Sequence, residues 1–281
     1  MSPATVISIV FRTSITLMVF ALGLRVSFQE TSHLIHRPSL LVRSVVSMNV
    51  VMPLFAAALV SLFSLNPAIK VALILLSISP IPPLLPKREL KAGGGSSFTF
   101  SLLVTEAVLA ILFVPASVAI LGAAFGKQAR VSTAEIVLVV LISVLIPLGA
   151  GMLIRRTTLG VADRIAKPIS LIATVLLASS LIPALFVAMP AVVSLIGNGT
   201  LAAVTAFILA GLAAGHMLGG PEPENRTVLA LATASRHPAV ALTTANASFP
   251  EEKLVLAAIV LYLIVNTLLL LPYIVWRRRQ V

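Results

Sequence analysis

The chain has 281 residues, 59% of them hydrophobic and 10% charged, which leaves too few polar side chains to cover a soluble domain and points to a chain embedded in a bilayer. Its formal net charge of +11 speaks for orientation and contact with anionic membrane lipid, not for nucleic acid, because cations of a membrane chain gather at its cytoplasmic face. Cysteine is absent, which excludes disulfides and thiolate metal sites.

Apolar runs recur along the whole length, each long enough to cross a hydrocarbon layer of about 30 Å as a helix. Nine membrane-crossing helices are expected, at about residues 4–24, 39–62, 68–91, 97–122, 133–154, 167–188, 198–219, 226–248 and 253–276. The whole chain forms one all-helical integral membrane domain. The first run carries Arg12 and lacks a basic leader, so it reads as a span and not as a cleaved signal. The second carries Asn49.

The third contains LLSISPIPPLLPKRELKAGGGSS, and Pro80, Pro82, Pro83 and Pro86 cannot all sit in one continuous helix, since each lacks an N–H and clashes with the preceding turn. Gly93, Gly94 and Gly95 then let the chain turn and pack closely. The fourth, SLLVTEAVLAILF, holds Glu106, the one carboxylate expected well inside a segment. The eighth is interrupted at Ser235-Arg236-His237-Pro238. A residue before proline avoids the helical region, so His237 marks a boundary, and Pro238 suits the first turn of a second half-helix. The closing WRRRQ reads as a cytoplasmic anchor with an interfacial tryptophan.

With the N-terminus outside, 14 cations fall on the inner side: Arg25, Arg37, Arg43, Lys87, Arg88, Lys91, Arg155, Arg156, Arg164, Lys167, Arg226 and Arg277 to Arg279. Four fall outside: Lys70, Lys127, Arg130 and Lys253. That asymmetry sets an external N-terminus and a cytoplasmic C-terminus in a plasma membrane, as in the bacterial inner membrane. The two interrupted segments lie five apart, and paired interruptions in corresponding positions of two halves point to a transporter site.

LMVFALGLRVSF (17–28), HRPSLLVRSVVSMNVVMPLFA (36–56), the broken third segment with the polar-dotted helix that follows it to Pro115, and NRTVLALATASRHPAVALTTA (225–245) resemble, in order, the successive signatures of the bile acid:sodium symporter family. The resemblance implies inverted repeats, a panel domain, a core domain in which two discontinuous helices cross near the midplane, and transport of organic anions with sodium. The chain is similar to the nine-helix form of that family. It departs from the family at the ion site. A Cys-Pro-Gly-Gly stretch and a Ser-Asn pair are replaced by Ser79-Pro80-Ile81-Pro82 and Pro83-Leu84-Leu85; a serine and a threonine correspond to Thr99 and Leu103; a glutamine falls on Met48, beside Asn49. The family's glutamate falls on Leu231, and its glutamine-asparagine pair falls on Ser235 and Arg236. A hard cation wants oxygen ligands, so sodium coupling is not expected.

Arg236 costs about 2.5–3.5 kcal/mol at the bilayer centre on insertion scales, and something must offset that. It is either a tethered cation that takes over the charge of the bound sodium and holds an anionic substrate beside the half-helix starting at Pro238, or one half of a structural ion pair. Glu106 is the first candidate partner for Arg236, and a proton carrier otherwise. His237 is a proton relay or a helix cap. Ser79, Asn49, Thr99 and Ser235 complete the expected substrate-binding set, with Ser101, Thr105, Thr243, Thr244 and Asn266 as further polar lining or interhelical hydrogen-bonding groups. No cofactor and no metal cluster is expected, since the four histidines have no ligand spacing, and no nucleophile and base suggest an enzyme. The expected function is secondary transport of a small or amphipathic organic anion by alternating access. The alternatives are a proton-coupled or passive carrier of the same fold, and a non-transporting membrane receptor or assembly protein.

Overall fold

The computed structural model describes residues 3–124 and 133–280, so the outer cations Lys127 and Arg130 lie outside the described residues. The described chain is built from helices alone. Helix α1 (Pro3–Gly23) is followed by the short α2 (Phe28–Thr31) and a 3-10 turn (His33–His36). Next, α3 (Pro38–Val45), a π-helical turn (Val46–Val51) and α4 (Met52–Leu62) run on as one rod. Helices α5 (Pro67–Ile78) and α6 (Leu85–Lys91) flank a first break, and the long α7 is Ser96–Ala124. Then α8 (Thr133–Val140), a second π turn (Leu141–Leu145) and α9 (Ile146–Thr157) form another rod, before α10 (Leu159–Ser194) and α11 (Thr200–Leu218). Helices α12 (Pro223–Ala234) and α13 (Pro238–Ser248) flank the second break, and α14 (Val255–Arg278) closes the fold.

Among the described residues, six helical stretches are long and apolar enough to cross a membrane: Pro38–Leu62, Ser96–Ile120, Val137–Thr157, Leu159–Pro183, Thr200–Leu218 and Val255–Arg278. Leu62, Leu112, Phe186 and Val187 stand on the outside of the bundle, which suits an apolar solvent. Helix α10 runs well past the expected 167–188, because the basic stretch from Arg164 to Lys167 continues as helix.

Both breaks fall where proline dictates. Helix α5 ends at Ile78, before the proline-rich 80–83, and α12 ends at Ala234, with Pro238 in the first turn of α13. The turn after α6 uses Gly93 at φ +83°, a left-handed conformation that favours glycine. Gly94 then sits so close to Val228 and to the Glu89 carbonyl that a Cβ would be 2.7 and 2.9 Å from them.

Beyond its charged and partly exposed first turn, helix α12 is enclosed from Thr227 to Ala234, with Val228, Leu229, Ala230, Leu231 and Ala232 all inaccessible. Its main neighbour is α11, and three glycines four residues apart let the backbones meet. A Cβ on Gly211 would lie 2.8 Å from Ala234 Cα, one on Gly215 2.3 Å from the Leu229 oxygen, and one on Gly219 2.4 Å from Arg226 Cα. Helices α1, α9 and α10 pack chiefly on one another, with Gly23 and Gly151 at the α1–α9 contact, while the two broken helices pack among α3–α7, α11 and α14, and α13 also lies against α8.

Candidate functional site

The two breaks touch. Ser235 and His237 are extended; the Ser235 N–H still closes on the Ala232 carbonyl and the His237 carbonyl accepts from Ala241, while the His237 N–H donates across to the Pro80 carbonyl at 2.9 Å. On the other side of the break, the last carbonyl of α12, that of Ala234, accepts from Tyr262 Oη at 2.7 Å and Asn266 Nδ2 at 2.8 Å on α14. Those two donors satisfy a helix end that would otherwise be buried bare. Asn266, expected as polar lining or an interhelical hydrogen-bonding group, takes the second role as a cap.

Arg236 is 0% exposed, and its guanidinium is spent on backbone oxygens: Nη1 donates to the Ser79 carbonyl at 3.1 Å and Nη2 to the Met48 carbonyl at 2.9 Å. The Ser79 carbonyl is free because α5 has ended, with the Ser79 hydroxyl folded back onto the Leu75 oxygen at 2.6 Å. The Met48 carbonyl lies in the π turn, where bonds run five residues ahead, and five residues ahead of Met48 is Pro53, which has no N–H. One side chain thus ties three irregular backbone segments together, at residues 48, 79 and 236. Two charge-assisted hydrogen bonds, each worth about 1.5–3 kcal/mol, offset the insertion cost of the cation.

The same π turn presents Asn49, whose Nδ2 donates to both oxygens of Glu106 at 3.3 Å. Glu106 is 2% exposed and forms no ion pair with Arg236; the ion pairs among the described residues are Arg37–Glu222 and Arg155–Asp163, both at the surface. The two side chains reach adjacent residues of the π turn, Arg236 at Met48 and Glu106 at Asn49, without touching each other. Arg236, Ser79, Asn49 and Glu106 are therefore brought into one network. His237 joins it through its backbone, while its two ring nitrogens have no protein partner. The Ser235 hydroxyl, Arg236 Nε and, on α13, the Thr244 hydroxyl are likewise buried without a protein partner. Thr99 is buried but separate: its hydroxyl faces Glu89 outside hydrogen-bond geometry. Ser101 caps its own helix turn on the Phe98 carbonyl, and Ser47 meets Thr233 across helices at 2.8 Å.

Two residues add to or correct the sequence reading. A second enclosed carboxylate, which the sequence reading did not single out, is Glu89 on α6, 1% exposed and covered where the glycine turn folds α6 against α12. WRRRQ is not simply an anchor. Arg277 is 4% exposed and points inward, with Nε donating to Thr227 Oγ1 and Nη2 to the Pro223 carbonyl, both at 2.7 Å, so that it clamps the start of α12. Beside it, His216 Nδ1 meets Tyr273 Oη at 2.8 Å, and Trp276 stacks at the edge of that pair.

The sequence pattern of the sodium bile acid symporter family matches residues 13–195. That stretch contains the π turn, the first break and Glu106, and ends before the second break and Arg236. No curated protein matches the chain. The match spans well over half of the 281 residues, on an all-helical fold with apolar spans. This chain belongs to the sodium bile acid symporter family, a family of membrane transporters.

Proposed function

We propose that the protein carries a small or amphipathic organic anion across a plasma membrane, the bacterial inner membrane, by alternating access and without sodium coupling. The observation behind this reading is the bonding of Arg236. A hard cation at the crossing would need backbone oxygens and a carboxylate. Here the Ser79 and Met48 carbonyls are held by the guanidinium, and the position resembling the family's glutamate is the enclosed Leu231. A guanidinium stays charged over the physiological range and cannot be released, so it cannot transmit a sodium gradient. Its charge, the free Nε, the Ser235 hydroxyl and the His237 ring give an anion a positive and hydrogen-bonding surface at the start of α13.

In this reading the chain crosses nine times: α1, the α3–α4 rod, broken α5–α6, α7, the α8–α9 rod, α10, α11, broken α12–α13 and α14. The group α1, α8–α9 and α10 corresponds to a panel, and the remaining helices to a core built of inverted repeats. The absence of cysteine makes the topology easy to test. Glu251→Cys is expected to react with a membrane-impermeant maleimide from outside, and Pro221→Cys only after permeabilisation. The reverse pattern would overturn the orientation.

Sodium independence is the test of function. Stabilisation of the purified protein by cholate, taurocholate and simpler carboxylates or sulfonates is expected to be the same in sodium, potassium or choline at constant ionic strength. A ligand that stabilises only in sodium would reject the fixed-cation reading.

A further inference from the structure

Glu106 and Arg236 are buried charges that each lack an oppositely charged contact, and they are linked through neighbouring residues of one π turn, Met48 and Asn49. The amide of Asn49 is neutral, and its 3.3 Å bonds are longer than the usual range of about 2.7–3.2 Å, so they hold a carboxylate weakly. Several other charged groups stand on elements packed against α7, yet none of them faces Glu106. Glu30, Glu89 and Glu224 gather at the start of α7, near Ser96, Thr99 and Gly95, two turns away. Lys70 on α5, His33 and His36 in the 3-10 turn, the lysines and Arg88 of α6, Glu135 on α8 and Arg226 on α12 form no hydrogen bond or ion pair with it. Arg236 is the charged group that reaches the same π turn, at Met48, next to the Asn49 that bonds Glu106.

This pair has a charge-balance consequence, which rests on the anion-carrier reading above. With no substrate present, the cation of Arg236 and the carboxylate of Glu106 sum to zero. An anion arriving beside Arg236 would make the enclosed site net negative, at a cost that a low-dielectric interior magnifies. Arg236 cannot adjust, because its charge is fixed. We propose that Glu106 is a proton-binding site that takes up one proton for each monovalent anion bound and releases it with the anion on the other side. The only bond formed is the O–H bond on a Glu106 oxygen. The anion keeps its charge, one proton and one anion move together, and no net charge crosses the membrane. By linkage, the anion then binds less tightly as pH rises above the range in which Glu106 holds its proton, by about tenfold per pH unit at the limit.

Two measurements decide it. The first needs no ligand. Infrared spectra of Arg236→Gln in lipid nanodiscs, with the spectrum of the unaltered protein subtracted to remove any band of the enclosed Glu89, are expected to show a protonated-carboxyl band at neutral pH that is absent when the Arg236→Gln, Glu106→Gln double variant is treated in the same way. A band that is missing, or that persists in the double variant, overturns the exchange of charge between these two residues. The second uses the unaltered protein with cholate in weak buffer and a pH indicator, and is available even if Arg236→Gln fails to fold. About one proton is expected to be taken up per cholate bound, and none by Glu106→Gln, which mimics the protonated acid and should bind cholate with a flat pH profile. Cholate binding without proton uptake, or equal uptake by Glu106→Gln, overturns the proton site while leaving the carrier reading intact. Failure of the protein to bind cholate or any other organic anion counts against the carrier reading instead, and the infrared result still stands for or against Glu106.

Discussion

Replacing Arg236 by glutamine is expected to weaken binding of an organic anion at least tenfold and to lower the melting temperature of the protein. Tenfold is about 1.4 kcal/mol, and a desolvated charge-assisted contact is worth about 1.5–3 kcal/mol. The loss of stability has a separate origin. The Ser79 and Met48 carbonyls both rely on the guanidinium, and a buried acceptor left bare costs about 1–3 kcal/mol. Glutamine can reach one of them at most, so the three irregular segments at 48, 79 and 236 lose their common tie. Lysine should restore part of both effects, because it keeps the charge but lacks the planar fork that spans two acceptors. Thermal unfolding in detergent and anion titration on the same samples separate the two. A lower melting temperature with unchanged anion affinity would make Arg236 a structural clamp alone.

Gly215→Ala should destabilise the protein by about 1–3 kcal/mol, the usual cost of forcing extra volume into a packed site, and Gly215→Leu should prevent folding. The added Cβ would come within 2.3 Å of the Leu229 oxygen and 2.5 Å of Ala230 Cα, and backbone cannot turn aside as a side chain can. Helices α11 and α12 would have to part. Because the end of α12 is held by Tyr262 and Asn266, that displacement would be carried into Ser235, Arg236 and His237, and anion binding should fall with stability. Gly149→Ala is the control. Nothing lies within 4 Å of its added Cβ, in the interior of α9, so the change should be neutral or stabilising by up to about 1 kcal/mol. Equal behaviour of the two variants would show that close α11–α12 contact is not needed.

The places of the helices and of both breaks were legible in the sequence because they depend on local causes. A run of apolar residues has only the bilayer or the protein core to go to, and a proline removes its own N–H whatever surrounds it. Pro80 to Pro83 and Pro238 therefore marked the interruptions, and the family resemblance read from the first of them and the segments before it is borne out by the match over residues 13–195. Partners across the chain were not legible. Arg236 could be recognised as a cation needing compensation, but its acceptors lie 157 and 188 residues away and are backbone carbonyls, which every residue possesses. Only the crossing of the breaks and the register of the π turn at Pro53 show which carbonyls are free. Gly211, Gly215 and Gly219 stand at a spacing that signals close packing, yet nothing local says that α12 fills the groove. The burial of Glu89 went unread, and that of Arg277 was misjudged, for the same reason. A charged residue near a helix end is solvated unless another element covers it. Covering is decided by the packing of α6 on α12, and of the end of α14 on the start of α12, which a one-dimensional pattern of apolar and charged residues does not specify.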